Sequence, residues 1–247
     1  CKGFETVADY KLKCHVFSTI GSHGSLTVEQ ALMNSCNPYM IHLALEMGNS
    51  RFAYYQSLFG FGKITGIDLP GETTGIVYGD RMTTIDAACN SFGQTINVNM
   101  MQMMAAYCSI INGGMLYQPH IVKRIESANG EVVKEYKANL VRQTITASTS
   151  KLLRRYLKNT VEEGTAKKAG VTGYSVAGKT GTAQKGDRKD NKWIISFIGH
   201  APAENPKFAI YVVIDEPYGT TGTSGSSADV LTLTHNILEK LLPYMNV

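Results

Sequence analysis

From Thr27 to Gly48 apolar residues recur at helical rather than strand spacing. Thr27 and Gln30 have the separation of a capping box, so a helix is predicted from Thr27 through VEQALMNS toward Asn37. A second runs from Pro38 through NPYMIHLALEMG and stops at Gly48, and a short third covers residues 50–60. FGFGKITGIDLPGE reads as a Gly-rich loop. NVNMMQMMAAYCSIINGG again has helical spacing and a Gly-Gly stop, and its methionines suit core packing. Residues 1–25 read as polar and irregular.

From Pro119 the period shortens. HIVKRIES, then NG, then EVVKEY predicts a hairpin with a two-residue turn. SKLLRRYLKNTVEEG is an amphipathic helix ended by Gly164. SVAGKTGTAQ, KWIISFIGHAP and KFAIYVVIDEP follow as three strand-like runs joined by short polar loops. Parallel neighbours need a crossover of about a dozen residues, so these strands are antiparallel. ADVLTLTHNILEKLL closes the chain as a helix able to pack on them. The fold expected is α+β: an antiparallel sheet flanked by helices, with a mainly helical lobe beside it.

Composition changes this picture little. A net charge of +4 on 247 residues is mild; it could favour an anionic surface such as wall or membrane and gives no case for nucleic acid. No apolar run is long enough to span a bilayer. The sequence starts at Cys1 without an initiator Met or signal peptide, which suggests a piece of a longer protein. Five cysteines, an odd number, exclude a complete intramolecular disulfide framework. Cys36, Cys89 and Cys108 sit in apolar helical stretches and read as small buried hydrophobes; Cys1 and Cys14 do not.

The chemistry concentrates around Lys179. Gly173 to Thr180 satisfies the phosphate-binding pattern G-x-x-x-x-G-K-[ST], and Ile210 to Asp215 resembles its usual acidic partner strand. That chemistry requires a helix to begin at the Lys-Thr, so that backbone amides face the phosphates. GTAQKGDRKDNK instead follows, with no apolar stripe. The competing reading is the Lys-Thr-Gly strand of serine acyl-transfer enzymes acting on β-lactams and D-alanyl peptides. There an edge strand receives an extended peptide, a cation meets its carboxylate, a hydroxyl bonds it, and a glycine lets it come close. Lys179, Thr180 and Gly181 supply these parts. About 140 residues upstream, Ser35-Cys36-Asn37 provides a Ser-x-Asn in the order this pattern demands. Ser35 could relay a proton and Asn37 hold a substrate amide, although a helix cap is the plain reading of such a triplet.

HGSLTVEQALMNSCNPYMIHLA, NSFGQTINVNMMQMMAAYCSIINGG and GYSVAGKTGTAQ followed by WIISFIGHAP resemble the class B, division-type penicillin-binding proteins. The wording is most similar to that of sporulation-associated transpeptidases of endospore-forming bacteria. The likeness spans nearly the whole chain. It implies a β-lactamase/penicillin-binding transpeptidase-like fold and a peptidoglycan D,D-transpeptidase acting through an acyl-serine, a target of β-lactams, in spore cortex or septal wall synthesis. It implies that Ser35 and Asn37 form the second motif and Lys179, Thr180 and Gly181 the third, with Thr182 giving an oxyanion-hole N–H worth about 3–4 kcal/mol in the transition state. It further implies stem peptides as substrate, a glycan-polymerising partner, no cofactor for acyl transfer, a membrane anchor not contained in this chain, and action on the extracytoplasmic face of the bacterial membrane.

The family's first motif, Ser-x-x-Lys, is expected before the second and is not there. Ser148-Thr-Ser-Lys151 is the only match and lies after it, where ASTSKLLRRYL reads as a capped helix start. Residues 1–247 are therefore expected to be a transpeptidase domain truncated at its N-terminus, its nucleophilic serine a few dozen residues upstream of Cys1 and the chain inert alone. GTTGTSGSSADVL is also more polar than the family's usual entry to the last helix. Alternatives are a catalytically silent wall-binding scaffold, a P-loop nucleotide-binding protein, or a carboxypeptidase using water; a serine β-lactamase would share the motifs, but the resemblance points away from it.

Cys1, Asp9, Cys14 and His15, with His23 as a substitute member, permit a tetrahedral zinc site of structural type. Cys14 and His15 are adjacent and would face opposite ways on a regular strand, so both could bind one ion only across a bend. A Cys1–Cys14 disulfide and unpaired thiols remain open beside it.

Overall fold

A computed structural model describes residues 1–186, 192–217 and 226–247. The chain opens with a hairpin, β1 (Phe4–Val7) and β2 (Tyr10–Lys13), paired antiparallel from Phe4↔Lys13 to Val7↔Tyr10. This corrects the reading of residues 1–25 as irregular. Tyr-Lys-Leu-Lys of β2 does alternate, but strands of four residues are too short for the alternation to stand out in sequence.

The helical lobe follows. Helix α1 (Val28–Met33) starts at Thr27, where the capping box with Gln30 is complete, and ends earlier than the apolar pattern suggests. Ser35 breaks it with φ 50°, and α2 (Asn37–Met47) restarts with Pro38 in its first turn. Gly48, at φ 80°, separates α2 from α3 (Asn49–Leu58). A helix the apolar pattern did not announce, α4 (Thr84–Asn90), has its own Thr83/Asp86 capping box, and α5 (Met100–Ile111) starts from a third, Asn99/Gln102. Ile41, Ala88 and Val7 form the small core joining α2, α4 and β1.

Two outlying pairs lie between the lobe and the sheet in sequence. β3 (Met115–Gln118) pairs with β6 (Asn139–Gln143), and β4 (Arg124–Glu126) pairs with β5 (Val132–Glu135). The β4–β5 connection spans residues 127–131, closed by Ser127 and Glu131, and is longer than the two-residue turn expected at Asn129-Gly130. Helix α6 (Ala147–Glu162) is capped by Thr146, whose hydroxyl accepts from the N–H of Thr149, so the cap lies just ahead of the run anticipated for it.

The main sheet has the order β7 (Ala177–Lys185), β8 (Lys192–Ala201), β9 (Phe208–Asp215), all antiparallel as expected. Helix α7 (Ala228–Tyr244) packs across one face, where Ile195 and Phe197 of β8 meet Val230, Leu231, Leu238 and Leu242. Tyr107 and Ile111 of α5 and Leu157 of α6 cover the other face through Ala177 and Ala203. Strand β7 is therefore buried on both faces at its start, and among the described residues only β8 pairs with it. Most of the polar GTTGTSGSSADVL segment lies outside the described residues. None of the described helices is long and apolar enough to cross a membrane.

Phe197 is 0% exposed, so Phe197→Ala should lower unfolding stability by about 3–5 kcal/mol. Tyr244, 81% exposed, should shift it by under about 0.5 kcal/mol on the same change. Urea titration followed by circular dichroism reads both.

Candidate active site

β7 does not turn into a helix after Lys179 and Thr180; it continues as a paired strand to Lys185, with Thr180 opposite Phe197 and Thr182 opposite Ile195. The phosphate-loop reading fails on this geometry, because no helix N-terminus is present to gather amides around an anion. Asp215, its supposed acidic partner, instead pairs with Lys185 at 2.9 Å.

Glycine at 181 has a steric reason: a Cβ there would lie 2.6 Å from Ser196 Oγ. At Gly178 a Cβ would lie 2.6 Å from the Ile198 carbonyl oxygen. The buried Thr160 hydroxyl of α6 donates to the Gly178 carbonyl and so fixes the strand just before Lys179.

The Lys179 ammonium donates to Ser35 Oγ, to the Thr180 carbonyl at 3.0 Å and to Thr180 Oγ1 at 3.3 Å. Burial lowers the Lys179 pKa from its ordinary value to about 8. Ser35 reaches it from the α1–α2 junction, which its left-handed backbone turns sharply; for a residue with a Cβ that conformation costs about 1–3 kcal/mol. The N–H groups of Ser35 and Cys36 close the junction on the carbonyls of Leu32 and Ala31, at 3.2 and 2.9 Å. Asn37 lies one residue further, its Nδ2 donating to the Lys13 carbonyl at 3.2 Å.

Ser35, Asn37, Lys179, Thr180, Gly181 and Thr182 thus line one cleft of ≈1110 Å³, which Lys11, Lys13, Cys89, Phe92, Gln94 and Trp193 also border. Ser148 and Lys151 are elsewhere, in the first two turns of α6, with Ser148 Oγ bonded to Thr146 Oγ1 at 2.9 Å. Thr165, which the sequence reading passed over, stands between the two motifs: its hydroxyl is 3.4 Å from Ser35 Oγ and 3.3 Å from Thr180 Oγ1. A threonine just past a helix end has no sequence signature, so nothing marked it.

The metal set is partly redrawn. The sulfurs of Cys1, Cys14 and Cys36 and a ring nitrogen of His23 all lie within 4.8 Å of one another. A regular tetrahedron with zinc–sulfur bonds of about 2.3 Å has edges of roughly 3.8 Å, so this donor set fits such an ion. Asp9 does not join them: it sits exposed in the hairpin turn, roughly 15 Å of strand from Cys14. His15 also turns away, its Nε2 donating to the Asn34 carbonyl at 2.8 Å. Cys36, read as a small hydrophobe, is buried as expected but aims its thiol at Cys14 rather than at apolar neighbours alone. All five cysteines are free thiols in this structure. Cys14 is lowered to about 5, chiefly by the Cys36 thiol donating to it, and Cys36 is raised in turn because it is that donor and is buried.

The geometry is matched by kinship. The penicillin binding protein transpeptidase domain model matches residues 6–239. The chain belongs to this family. Stage V sporulation protein D of Bacillus subtilis is 39% identical over 251 residues, covering 100% of this chain and 38% of that protein. The peptidoglycan D,D-transpeptidase FtsI of Escherichia coli is 32% identical, over 84% of this chain and 34% of that protein. Penicillin binding protein 3 of Mycobacterium tuberculosis superposes with TM-score 0.86 at 28% identity, over 99% of this chain and 57% of that one. The same protein has been solved in complex with aztreonam and with ampicillin, again with TM-score 0.86. The chain therefore spans under two fifths of the length of these two curated relatives, and the α+β transpeptidase fold expected from sequence is the one observed.

Lys179 gives a direct check on the site. Below about pH 8 it is charged in both folded and unfolded chains, and burial penalises the fold. Between about pH 8 and its ordinary value of 10.5 the unfolded chain binds the extra proton, so this residue makes stability rise with pH. Lys179→Met should abolish that increment, and a lysine ¹³Cε NMR titration should place one resonance near pH 8; a full set of ordinary lysine titrations would contradict the buried ammonium.

Proposed function

We propose that the full-length protein is a peptidoglycan D,D-transpeptidase that cross-links stem peptides through an acyl-serine and is acylated by β-lactams. The observation that carries this reading is the Lys179 ammonium seated on Ser35 Oγ in the cleft, on β7, which among the described residues pairs only with β8. The family and its named D,D-transpeptidase relatives support it.

In this reading residues 1–247 form a single transpeptidase domain, and the nucleophile is a serine supplied by chain outside them. That serine, deprotonated by its motif lysine, attacks the penultimate D-alanyl carbonyl. The tetrahedral oxyanion is met by the Thr182 N–H, and the departing D-alanine amine takes its proton through Ser35 from Lys179. An acceptor amine on a second stem peptide then attacks the ester, loses a proton along the reverse route and releases the serine. Asn37 holds a backbone amide of the stem, and Thr180 with Lys179 meets the terminal carboxylate. Gly181 lets the peptide lie close along β7 as an added strand.

The place of action is the outer face of the bacterial membrane, in spore cortex or septal wall, with a membrane anchor and a glycan-polymerising partner. The likeness to a stage V sporulation protein favours the sporulation setting. Acyl transfer itself uses no cofactor. Zinc, held by Cys1, Cys14, Cys36 and His23, would close a four-ligand structural site and order the loop that leads to Ser35.

Full-length protein should form a covalent adduct with a fluorescent penicillin, and Lys179→Ala should slow labelling about 100-fold or more. No adduct from folded wild type would instead favour the silent scaffold. Protein purified without a histidine tag should carry about one zinc per chain, and Cys36→Ser should lose most of it. Less than about a tenth of an equivalent in wild type would end the zinc reading.

A further inference from the structure

Thr165 occupies a position that the acyl-transfer reading does not use. Its backbone is held from two sides: its N–H donates to the Met33 carbonyl of α1 at 3.1 Å, and the next N–H, of Ala166, returns to the Thr160 carbonyl of α6 at 3.0 Å. Gly164 before it admits this approach, since a Cβ there would stand 2.8 Å from the Met33 carbonyl oxygen. The hydroxyl of Thr165 is thereby delivered between Ser35 Oγ and Thr180 Oγ1, at 3.4 and 3.3 Å. Hydroxyl contacts of this length in a ligand-free site commonly tighten when substrate binds.

Counting protons in this ring gives the consequence. The Lys179 ammonium has donors only, and it gives one to Ser35 Oγ and one to Thr180 Oγ1. Each of these two hydroxyls must then direct its own single proton elsewhere. Thr165 has one proton and two acceptor lone pairs, so it can donate to only one of these neighbours at a time while accepting from the other. If it accepts from Ser35, the Thr180 proton is free to point into the cleft. If it accepts from Thr180, the Ser35 proton is free instead.

We propose that Thr165 is a positioning residue whose hydroxyl couples the Ser35 and Thr180 protons: while it accepts from Ser35 the Thr180 proton faces the substrate carboxylate, and when it accepts from Thr180 the Ser35 proton is turned to the leaving amine. It touches no substrate atom in this reading; it sets the direction of two hydroxyls that do. This rests on the acyl-transfer reading for the identity of the two acceptors, and on the geometry alone for the ring.

The test separates the two. In full-length protein that labels with a fluorescent penicillin, Thr165→Val should lower the first-order acylation constant about tenfold or more. The dissociation constant of the pre-covalent complex and the melting temperature should change little, and Thr165→Ser should restore acylation to within about threefold of wild type. A Thr165→Val protein acylating at the wild-type rate overturns the proposal. So does a Thr165→Ser protein as slow as the valine variant, since packing of the methyl group would then be the cause. A neutron structure of wild type adds a readout that needs no acylation: deuterons should lie on the Ser35–Thr165 and Thr165–Thr180 lines. Deuterons absent from both lines would refute the ring, whereas wild type that never labels would refute the acyl-transfer reading.

Discussion

A buried ammonium has to find oxygen atoms, and Lys179 finds them on two parts of the chain that share no sequence proximity. Its own strand supplies the Thr180 carbonyl and hydroxyl; the helical lobe supplies Ser35. Removing those oxygens would strand a charge out of water, which is far more costly than losing a neutral hydrogen bond. The α1–α2 junction is bound to β7 by that need. The left-handed backbone of Ser35, the glycines at 178 and 181 and the Thr160 contact to Gly178 all bring the ammonium and its acceptors into register.

The sequence announces the strands of the main sheet and the long helices because their apolar residues recur with a clean period and face one core. It also weighs against the phosphate loop, since no apolar stripe follows Thr180, and the strand that continues to Lys185 then removes that reading. What it hides is short or tertiary. β1 and β2 are four residues each, too short for alternation to stand out, and α4 is declared by Thr83 and Asp86 rather than by hydrophobicity. Lys179 and Ser35 could be named because both belong to motifs; Thr165 belongs to none and acquires meaning only from where two helix ends place it.

The cysteine cluster shows the same limit from another side. Adjacent Cys14 and His15 look like a ligand pair in one dimension, but both lie just past the end of β2, where Cys14 faces Cys36 and the backbone carbonyl of Asn34 takes the histidine. Cys36 looks like core because it lies among apolar helical residues, yet it closes the group formed by Cys1, Cys14 and His23. Burial and ligation are compatible for a thiol, so composition of the surrounding helix could not separate them. Because Cys36 stands between Ser35 and Asn37, whatever holds its sulfur also holds the backbone of both neighbours.

The separation of the contacting residues along the chain has a further consequence. The capping boxes at Thr27, Thr83 and Asn99 let the lobe's helices begin from local contacts, which form early. Lys179 and Ser35 are 144 residues apart, and Ser35 and Thr165 are 130 apart. Closing loops of that size is entropically slow and is rewarded only once the sheet has packed. A partly folded chain can therefore hold native helices while its lysine is still solvated, with an ordinary proton affinity. The lowered proton affinity of this amine is therefore a property of the packed junction between lobe and sheet, not of the strand that carries it.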